Sequence, residues 1–115
     1  MKLKDSPIRN KSFDFAIDIV KFSKVLKSKE EFELAKQLIR SGTSIGANIR
    51  EAQRGFSRKD FIHKLNISLK EADETLYWLE LIHASIGIDT KELKDNCEEL
   101  IRILVSILKS STQNS

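Results

Sequence analysis

Apolar side chains recur at alternating steps of three and four residues along most of the chain, and this spacing restricts how the chain can fold. One such run consists of Ala35, Leu38, Gly42, Ile45, Ile49 and Ala52, at steps of three, four, three, four and three. Such a run forms one face of an α-helix and buries that face against neighbouring helices. The single proline, Pro7, precedes these runs and interrupts none of them. The sequence therefore predicts an all-α fold.

Capping signals divide the chain into four helices. Three pairs have the spacing of a capping box, in which side chains bind backbone N–H groups at the start of a helix: Ser28 with Glu31, Ser57 with Asp60, and Asp89 with Glu92. Gly87 followed by Ile88 resembles a Schellman motif, and Gly55 is a second stop signal. We predict a first helix over about residues 12–27 and three more beginning at these caps. Short connections make successive helices antiparallel, which gives an up-down-up-down four-helix bundle.

The predicted core lines of the last two helices are continuous. In the third helix the line consists of Phe61, Leu65, Leu69, Ala72, Leu76, Leu79, His83 and Ile86, and in the fourth of Leu93, Cys97, Leu100, Leu104 and Ile107. The second helix has small residues in its middle, with Gly42 and Gly46 among them. Because glycine lowers helix propensity, we expect these positions to allow the close approach of another backbone.

The length of the chain favours one domain. Its 115 residues suffice for a single core, and we predict one domain over residues 1–115. Residues 1–10 and 110–115 carry no apolar stripe and are expected to be flexible. No apolar run has the length of a membrane span or a signal peptide, so we expect a cytoplasmic protein without a membrane partner.

The sequence lacks the residue combinations that support catalysis or cofactor binding. A glycine-rich phosphate loop and an HExxH pattern are both absent. His63 and His83 are 20 positions apart in one predicted helix, hence roughly 30 Å apart, and cannot share a metal ion. Glu80 and His83 form half of a di-iron motif whose other half is missing. We therefore expect no catalytic residue, no cofactor and no metal, and predict that the protein is not an enzyme.

Positive charge is concentrated in the first part of the chain. Residues 1–70 carry 16 Lys and Arg against 8 Asp and Glu, whereas residues 71–115 carry 4 against 9. A basic series crosses the junction of the second and third helices and contains Arg50, Arg54, Arg58, Lys59 and Lys64. Arginine matches phosphate geometry, so these residues are candidates for binding nucleic acid at one end of the bundle. Ordinary solvated helix faces are the alternative, and the rings within the series, Phe56 and Phe61, could both belong to the core.

The third helix is apolar almost all round in its C-terminal half. Tyr77, Trp78, Leu81 and Ile82 lie off its predicted core line. Large apolar groups in such positions are typical of interface anchors, so these four are candidates for an oligomer interface, with a place in the core as the alternative. The first helix also has an apolar arc wider than one stripe, which passes through Phe13, Ala16, Ile17, Val20 and Val25.

Two segments carry a family resemblance. Residues 44–52 read Ser-Ile-Gly-Ala-Asn-Ile-Arg-Glu-Ala, and residues 70–79 read Lys-Glu-Ala-x-Glu-Thr-x-Tyr-Trp-Leu. Together with helix order and length over about residues 10–108, these motifs resemble the bacterial four-helix-bundle family whose members include proteins encoded in intervening sequences of 23S rRNA genes. That family is distantly similar to the accessory variability proteins of diversity-generating retroelements. The resemblance implies a homopentamer that contacts RNA, and it implies no catalytic residue.

The polar residues of the first motif have two interpretations. Ser44, Asn48 and Glu51 could form a buried polar set that fixes helix packing, or they could line a binding surface. The preferred hypothesis for the whole chain is a non-enzymatic, oligomeric binding module that associates with RNA through the basic series. The alternative is a structural adaptor that binds another protein.

Overall fold

A computed structural model describes residues 6–113, with side chains described for residues 6–112. It contains four helices: α1 (Pro7–Ser28), α2 (Phe32–Gln53), α3 (Arg58–Ile86) and α4 (Lys91–Gln113). No residue of this range lies in a β-strand, which confirms the prediction of an all-α fold. None of these helices is long and apolar enough to cross a membrane.

Contacts between helices show that successive helices run in opposite directions. Three contacts join a residue near the beginning of one helix to a residue near the end of another: Arg9 to Gln53, Lys64 to Glu51, and Arg58 to the carbonyl of Ser111. Each helix packs against two neighbours, and α1 closes the ring by contacting α4. The bundle is therefore up-down-up-down, as predicted.

The first and last helices are longer than the sequence pattern predicted. Ser6 caps α1 by accepting a hydrogen bond from the N–H of Arg9, and Pro7 occupies the first helical turn, where its missing N–H costs nothing. Ile8 is buried in the core and Ser111 is buried near the end of α4. Residues 7–10 and 110–113 are thus helical, which differs from the predicted flexible ends. The remainder of those predicted ends, residues 1–5 and 114–115, lies outside the described residues.

The predicted capping box at Ser28 is wrong. Ser28 is the last residue of α1, and its hydroxyl donates to the carbonyl of Val25. The chain reverses through Glu30, which has a φ of 61°, while the N–H of Glu31 bonds to the carbonyl of Leu26. This is the backbone pattern of a Schellman motif with glutamate where glycine is usual, so the residue types did not reveal it.

The predicted Ser57 cap and Gly87 stop are found at the two ends of α3, whereas the predicted capping box of Asp89 with Glu92 is wrong, because Asp89 binds the N–H of Lys91 instead. Ser57 accepts from the N–H of Asp60 at 3.1 Å, and Gly87 ends α3 with a φ of 73°. The N–H of Gly87 bonds to the carbonyl of His83, which is the bond of the simpler αL motif. At the start of α4 the carboxylate of Asp89 accepts from the N–H of Lys91 at 2.9 Å.

The buried line of α3 contains two hydroxyl side chains that the sequence pattern missed. It consists of Phe61, Leu65, Ser68, Ala72, Thr75, Leu79 and Ile82, at alternating steps of four and three. The hydroxyl of Ser68 donates to the carbonyl of Ile45, and that of Thr75 lies 2.9 Å from the hydroxyl of Ser41. Because these bonds satisfy the polar groups, the core tolerates them. The predicted core positions Leu69, Leu76 and Ile86 are only partly buried, and His83 is exposed.

The close approach of another backbone, predicted for the small residues of α2, is confirmed at Gly46, where a Cβ atom would lie 3.4 Å from the carbonyl oxygen of Ser12, but not at Gly42. A Cβ atom at Gly42 would lie 2.9 Å from two side-chain carbons of Ile19 in α1. A Cβ atom at Gly46 would lie 3.3 Å from the hydroxyl oxygen of Ser12. At Gly42 the neighbour is a side chain rather than the backbone that we expected. In α4 the predicted core residues Cys97, Leu100 and Leu104 are buried, and Leu93 and Ile107 are partly buried.

Candidate nucleic-acid interface

The connection between α2 and α3 forms a basic tip at one end of the elongated bundle, which is 47 Å long. We define the basic tip as residues 54–59, which include Arg54, Phe56, Arg58 and Lys59. Because α2 ends at Gln53 and α3 begins at Arg58, these side chains are held by the ends of two packed helices. The tip is therefore a short, anchored turn.

Two cations of the basic tip are free to meet a ligand. Arg54 and Lys59 are both exposed, and neither forms an ion pair with another described residue. Arg54 follows the last turn of α2, and Lys59 lies in the first turn of α3. The two side chains thus place unneutralised positive charge on both arms of the turn.

Arg58 has a more structural position than its neighbours. It is partly buried, and its guanidinium donates to the carbonyl of Ser111 near the end of α4. Its Nε–H is buried and has no acceptor within the described part of the chain. Arg58 therefore ties the tip to α4 and retains one unused donor.

The remaining two members of the predicted basic series lie away from the tip and have partners. The guanidinium of Arg50 lies 5.0 Å from the ring centroid of Phe13 in α1, a cation–π contact. The ammonium of Lys64 lies 2.7 Å from the carboxylate of Glu51. The five basic residues are thus not equivalent, and Arg54 and Lys59 are the ones left open.

The two aromatic rings of the basic region have opposite environments. Phe61 is 4% exposed and belongs to the core, whereas Phe56 is 100% exposed. Beside Phe56 is a hollow of about 340 Å³, and its lining consists of Ala52, Gly55, Phe56, Ser57, Arg58 and Phe61. The sequence pattern alone did not show which of the two rings is buried and which is exposed. The signal that distinguishes them is register, since Phe61 begins the buried line of α3 and Phe56 precedes the Ser57 cap.

Arg9 is a further cation at this end of the bundle that the sequence analysis did not include. It donates to the side-chain oxygen of Gln53, the last residue of α2. The predicted start of α1 was five residues too late, so Arg9 was not placed on a helix. The serine and proline at positions 6 and 7 are the signal that could have found it, because Ser at the N-cap followed by Pro is typical of a helix start.

The predicted oligomer interface on α3 is only partly available. Ile82 is 0% exposed and belongs to the core, so its assignment to an interface is wrong. Trp78 and Leu81 are partly buried, and the Trp78 Nε1–H donates to Glu74 at 3.1 Å. Tyr77 is 58% exposed and packs edge-on against Trp78 with ring centroids 5.2 Å apart. The surface that this region offers is centred on Tyr77.

A larger apolar surface lies on α1. Phe13, Ile17 and Val20 are all exposed and follow one another at steps of four and three along the helix. Beside Phe13 is a groove of about 280 Å³ between α1 and α2, whose floor includes Gly46 and Ala47. We call this surface the α1 face. Its apolar arc is visible in the sequence, whereas the predicted interface lies on the third helix.

The polar motif of α2 does not form a buried set, which was the first of its two interpretations. Ser44 donates to the carbonyl of Arg40 at 2.6 Å, and the amide of Asn48 donates to the carbonyl of Ser44 at 2.8 Å. Both side chains are partly buried and Glu51 is exposed. Ser44 and Asn48 thus bond within α2, and Glu51 bonds to Lys64 on the surface. The buried polar residues of the core occupy other positions.

The side chains that could bind a metal ion or act as a nucleophile do not form a cluster among the described residues. Within residues 6–112 there is no group of three or more His, Cys, Asp or Glu side chains that could hold a metal ion. The Cys97 thiol is buried, and its Sγ lies 3.3 Å from the carbonyl of Ala72. Burial raises the pKa of Cys97 to about 12, with smaller contributions from Asp73 and Glu98. The thiol is therefore protonated and inert near neutral pH.

These features place the protein in the class of small antiparallel four-helix-bundle proteins, with a basic tip at one end. The family model for 23S rRNA-intervening sequence proteins matches residues 4–106. The chain therefore belongs to the family of 23S rRNA-intervening sequence proteins. It is also similar to a crystal structure of a protein with unknown function from the S23 ribosomal protein family from Bacteroides thetaiotaomicron. The two share 47% sequence identity and a TM-score of 0.86, over 89% of this chain and 98% of that chain. No curated protein matches this chain significantly.

Proposed function

We propose that this protein is a non-enzymatic, self-associating module that binds RNA through its basic tip. The observation that carries the proposal is the pair of exposed cations, Arg54 and Lys59, on a turn that two helices hold in place. Cations in a fixed arrangement bind the phosphate backbone by releasing condensed counterions, with little dependence on base sequence. The resemblance to the accessory variability proteins implies contact with RNA, which supports RNA as the polyanion. The cytoplasm is the compartment that this proposal requires.

Self-association would strengthen binding at such a small site. One tip offers few phosphate contacts, so its affinity alone is low. In a closed ring each copy contributes the same tip, and linked sites gain affinity through effective concentration. The exposed row Phe13, Ile17 and Val20 on the α1 face supports self-association, since apolar patches of this kind mark interaction surfaces. The family resemblance suggests five copies per ring.

The second candidate function is a structural adaptor for another protein. The α1 face favours it as well, because a groove lined by small residues could receive an apolar helix of a partner. The two candidates differ in what the basic tip does. In the adaptor, the charges of Arg54 and Lys59 have no part in partner binding.

The purified protein distinguishes the candidates. We expect RNA to co-purify at low salt, seen as a raised ratio of absorbance at 260 nm to that at 280 nm, and light scattering to give a mass above that of one chain. The double substitution Arg54→Glu with Lys59→Glu should remove the RNA and leave the assembly intact. The double substitution Lys24→Glu with Lys27→Glu is the matched control. These two exposed cations carry the same total charge and lie near the end of α1, at the end of the bundle opposite the basic tip. A stoichiometric protein partner without nucleic acid would replace the RNA proposal with the adaptor.

A further inference from the structure

The ring of Phe56 is placed where no other described residue covers it. It is 100% exposed, whereas the next most exposed phenylalanine, Phe32, is 60% exposed. Single exposed apolar residues are common on protein surfaces. Phe56 differs because it stands at the tip of an anchored turn, between the free cations Arg54 and Lys59.

The hollow beside Phe56 contains an unused hydrogen-bond donor. Arg58 lines this hollow, and its buried Nε–H has no acceptor among residues 6–112. A buried donor without an acceptor costs free energy. The hollow of about 340 Å³ is at the lower end of the size of small-ligand sites, about 300–1,000 Å³.

The charge of the tip selects an anionic partner. Within residues 54–60 the one carboxylate is that of Asp60, and Glu51, one helical turn before Arg54, is paired with Lys64. Arg54, Arg58 and Lys59 therefore outnumber the negative charge at the turn. An exposed ring between cations is the combination by which proteins bind single-stranded nucleic acid, with bases stacked on rings and phosphates near the cations.

We propose that the basic tip binds one unpaired base of single-stranded RNA, stacked on the ring of Phe56. The base would lie against the hollow, and Arg54 and Lys59 would contact the flanking phosphates. This inference rests on the proposed RNA-binding function and makes it specific. Bases inside a duplex are already stacked on each other, so the tip prefers single strands to duplexes.

The test compares two exposed phenylalanines at opposite ends of the bundle. Phe56→Ala should weaken binding of an unstructured single-stranded RNA about ten-fold, the order that one base–aromatic stack contributes. It should change binding of the same RNA in a duplex much less. Phe56→Trp should restore affinity, and its added fluorescence should be quenched by the single strand. Phe32→Ala, which removes the exposed ring at the start of α2, should leave affinity for both RNAs unchanged.

The results of this test show whether the stacking proposal fails alone or together with the proposed RNA-binding function. If wild-type protein binds neither RNA, both proposals are overturned. If it binds RNA and loses binding on Arg54→Glu with Lys59→Glu, but not on Phe56→Ala, the stacking proposal alone is overturned. If Phe56→Ala instead breaks the oligomer, the ring is an assembly contact and the stacking proposal also fails. Circular dichroism should show unchanged folding, because Phe56 has no buried surface to lose.

Discussion

The carboxylate of Glu51 lies 2.7 Å from the ammonium of Lys64, and this ion pair joins the last turn of α2 to the second turn of α3. The pair has a consequence for RNA binding because Lys64 belongs to the basic series that crosses this junction. The carboxylate of Glu51 compensates the charge of Lys64 on the side of the bundle that leads to the basic tip. Glu51 therefore lowers the positive potential that an approaching RNA would meet.

Replacing Glu51 with Gln should raise affinity for single-stranded RNA. The substitution frees the Lys64 charge, and one additional phosphate contact steepens the dependence of log affinity on log salt by about 0.7. Stability should change by less than about 1 kcal/mol, because exposed ion pairs contribute little. Fluorescence anisotropy at several salt concentrations measures the slope. An unchanged slope would mean that Lys64 is too far from the bound strand to take part.

Gly42→Ala should destabilise the fold by about 1–2 kcal/mol. The added methyl group would lie 2.9 Å from the side chain of Ile19, which is fully buried, so the core would have to shift. Alanine in a helix gains about 1 kcal/mol in propensity over glycine, which offsets part of this cost. Urea unfolding gives the free energy of unfolding. Gly46→Ala is the comparison, since its nearest neighbour is at 3.3 Å and its cost should be smaller. A Gly42→Ala variant more stable than wild type would contradict the tight α1–α2 contact.

Ile17→Glu and Trp78→Glu should have different effects on assembly. Ile17 is exposed on the α1 face, so a charge there should dissociate the oligomer while each subunit stays helical. Trp78 packs partly against the core, and its indole N–H is bonded to Glu74. Trp78→Glu should therefore lower the unfolding midpoint. Light scattering and thermal unfolding followed together separate the two effects. If Trp78→Glu dissociated the oligomer without changing its stability, the interface would lie on α3 and not on the α1 face.

Labelling of Cys97 by a thiol reagent should report unfolding. Burial raises its pKa from 9.0 to about 12, so the folded protein keeps the thiol protonated where the unfolded chain would ionise. The stability that this difference contributes is fully present below about pH 9 and is lost as the pH rises toward 12. The labelling rate at pH 8 should follow the unfolded fraction across a urea titration. Rapid labelling without denaturant would contradict the burial of the thiol.

The helices were predictable wherever apolar spacing and capping residues agreed. The stripe of α2 and the Ser57 and Gly87 ends follow from residue type alone. The core line of α3 was misassigned because Ser68 and Thr75 read as surface residues until their bonds to α2 are known. The start of α2 was misassigned because a backbone motif placed Glu30 in a left-handed conformation that favours glycine.

The candidate site was predictable in position but not in detail. The sequence gives the order of the basic residues around Gly55, which is enough to place a charged turn at one end of a bundle. The sequence does not show that Lys64 pairs with Glu51 or that Arg50 contacts Phe13. In each case the two residues lie on different helices, so only the folded structure brings them together. The full exposure of Phe56 depends on where α3 begins.

The salt dependence of RNA binding tests the central proposal most directly. Affinity for a single-stranded RNA should fall linearly on a log–log plot against salt for wild-type protein. For Arg54→Ala with Lys59→Ala the slope should be shallower by about 1.4 per tip engaged, since two phosphate contacts are lost. Arg50 and Arg58 stay unchanged in this variant because one packs over Phe13 and the other holds Ser111. Lys24→Ala with Lys27→Ala should keep the wild-type slope. Equal slopes for all three proteins, or no binding by wild type at about 50 mM salt, would contradict RNA binding by the basic tip.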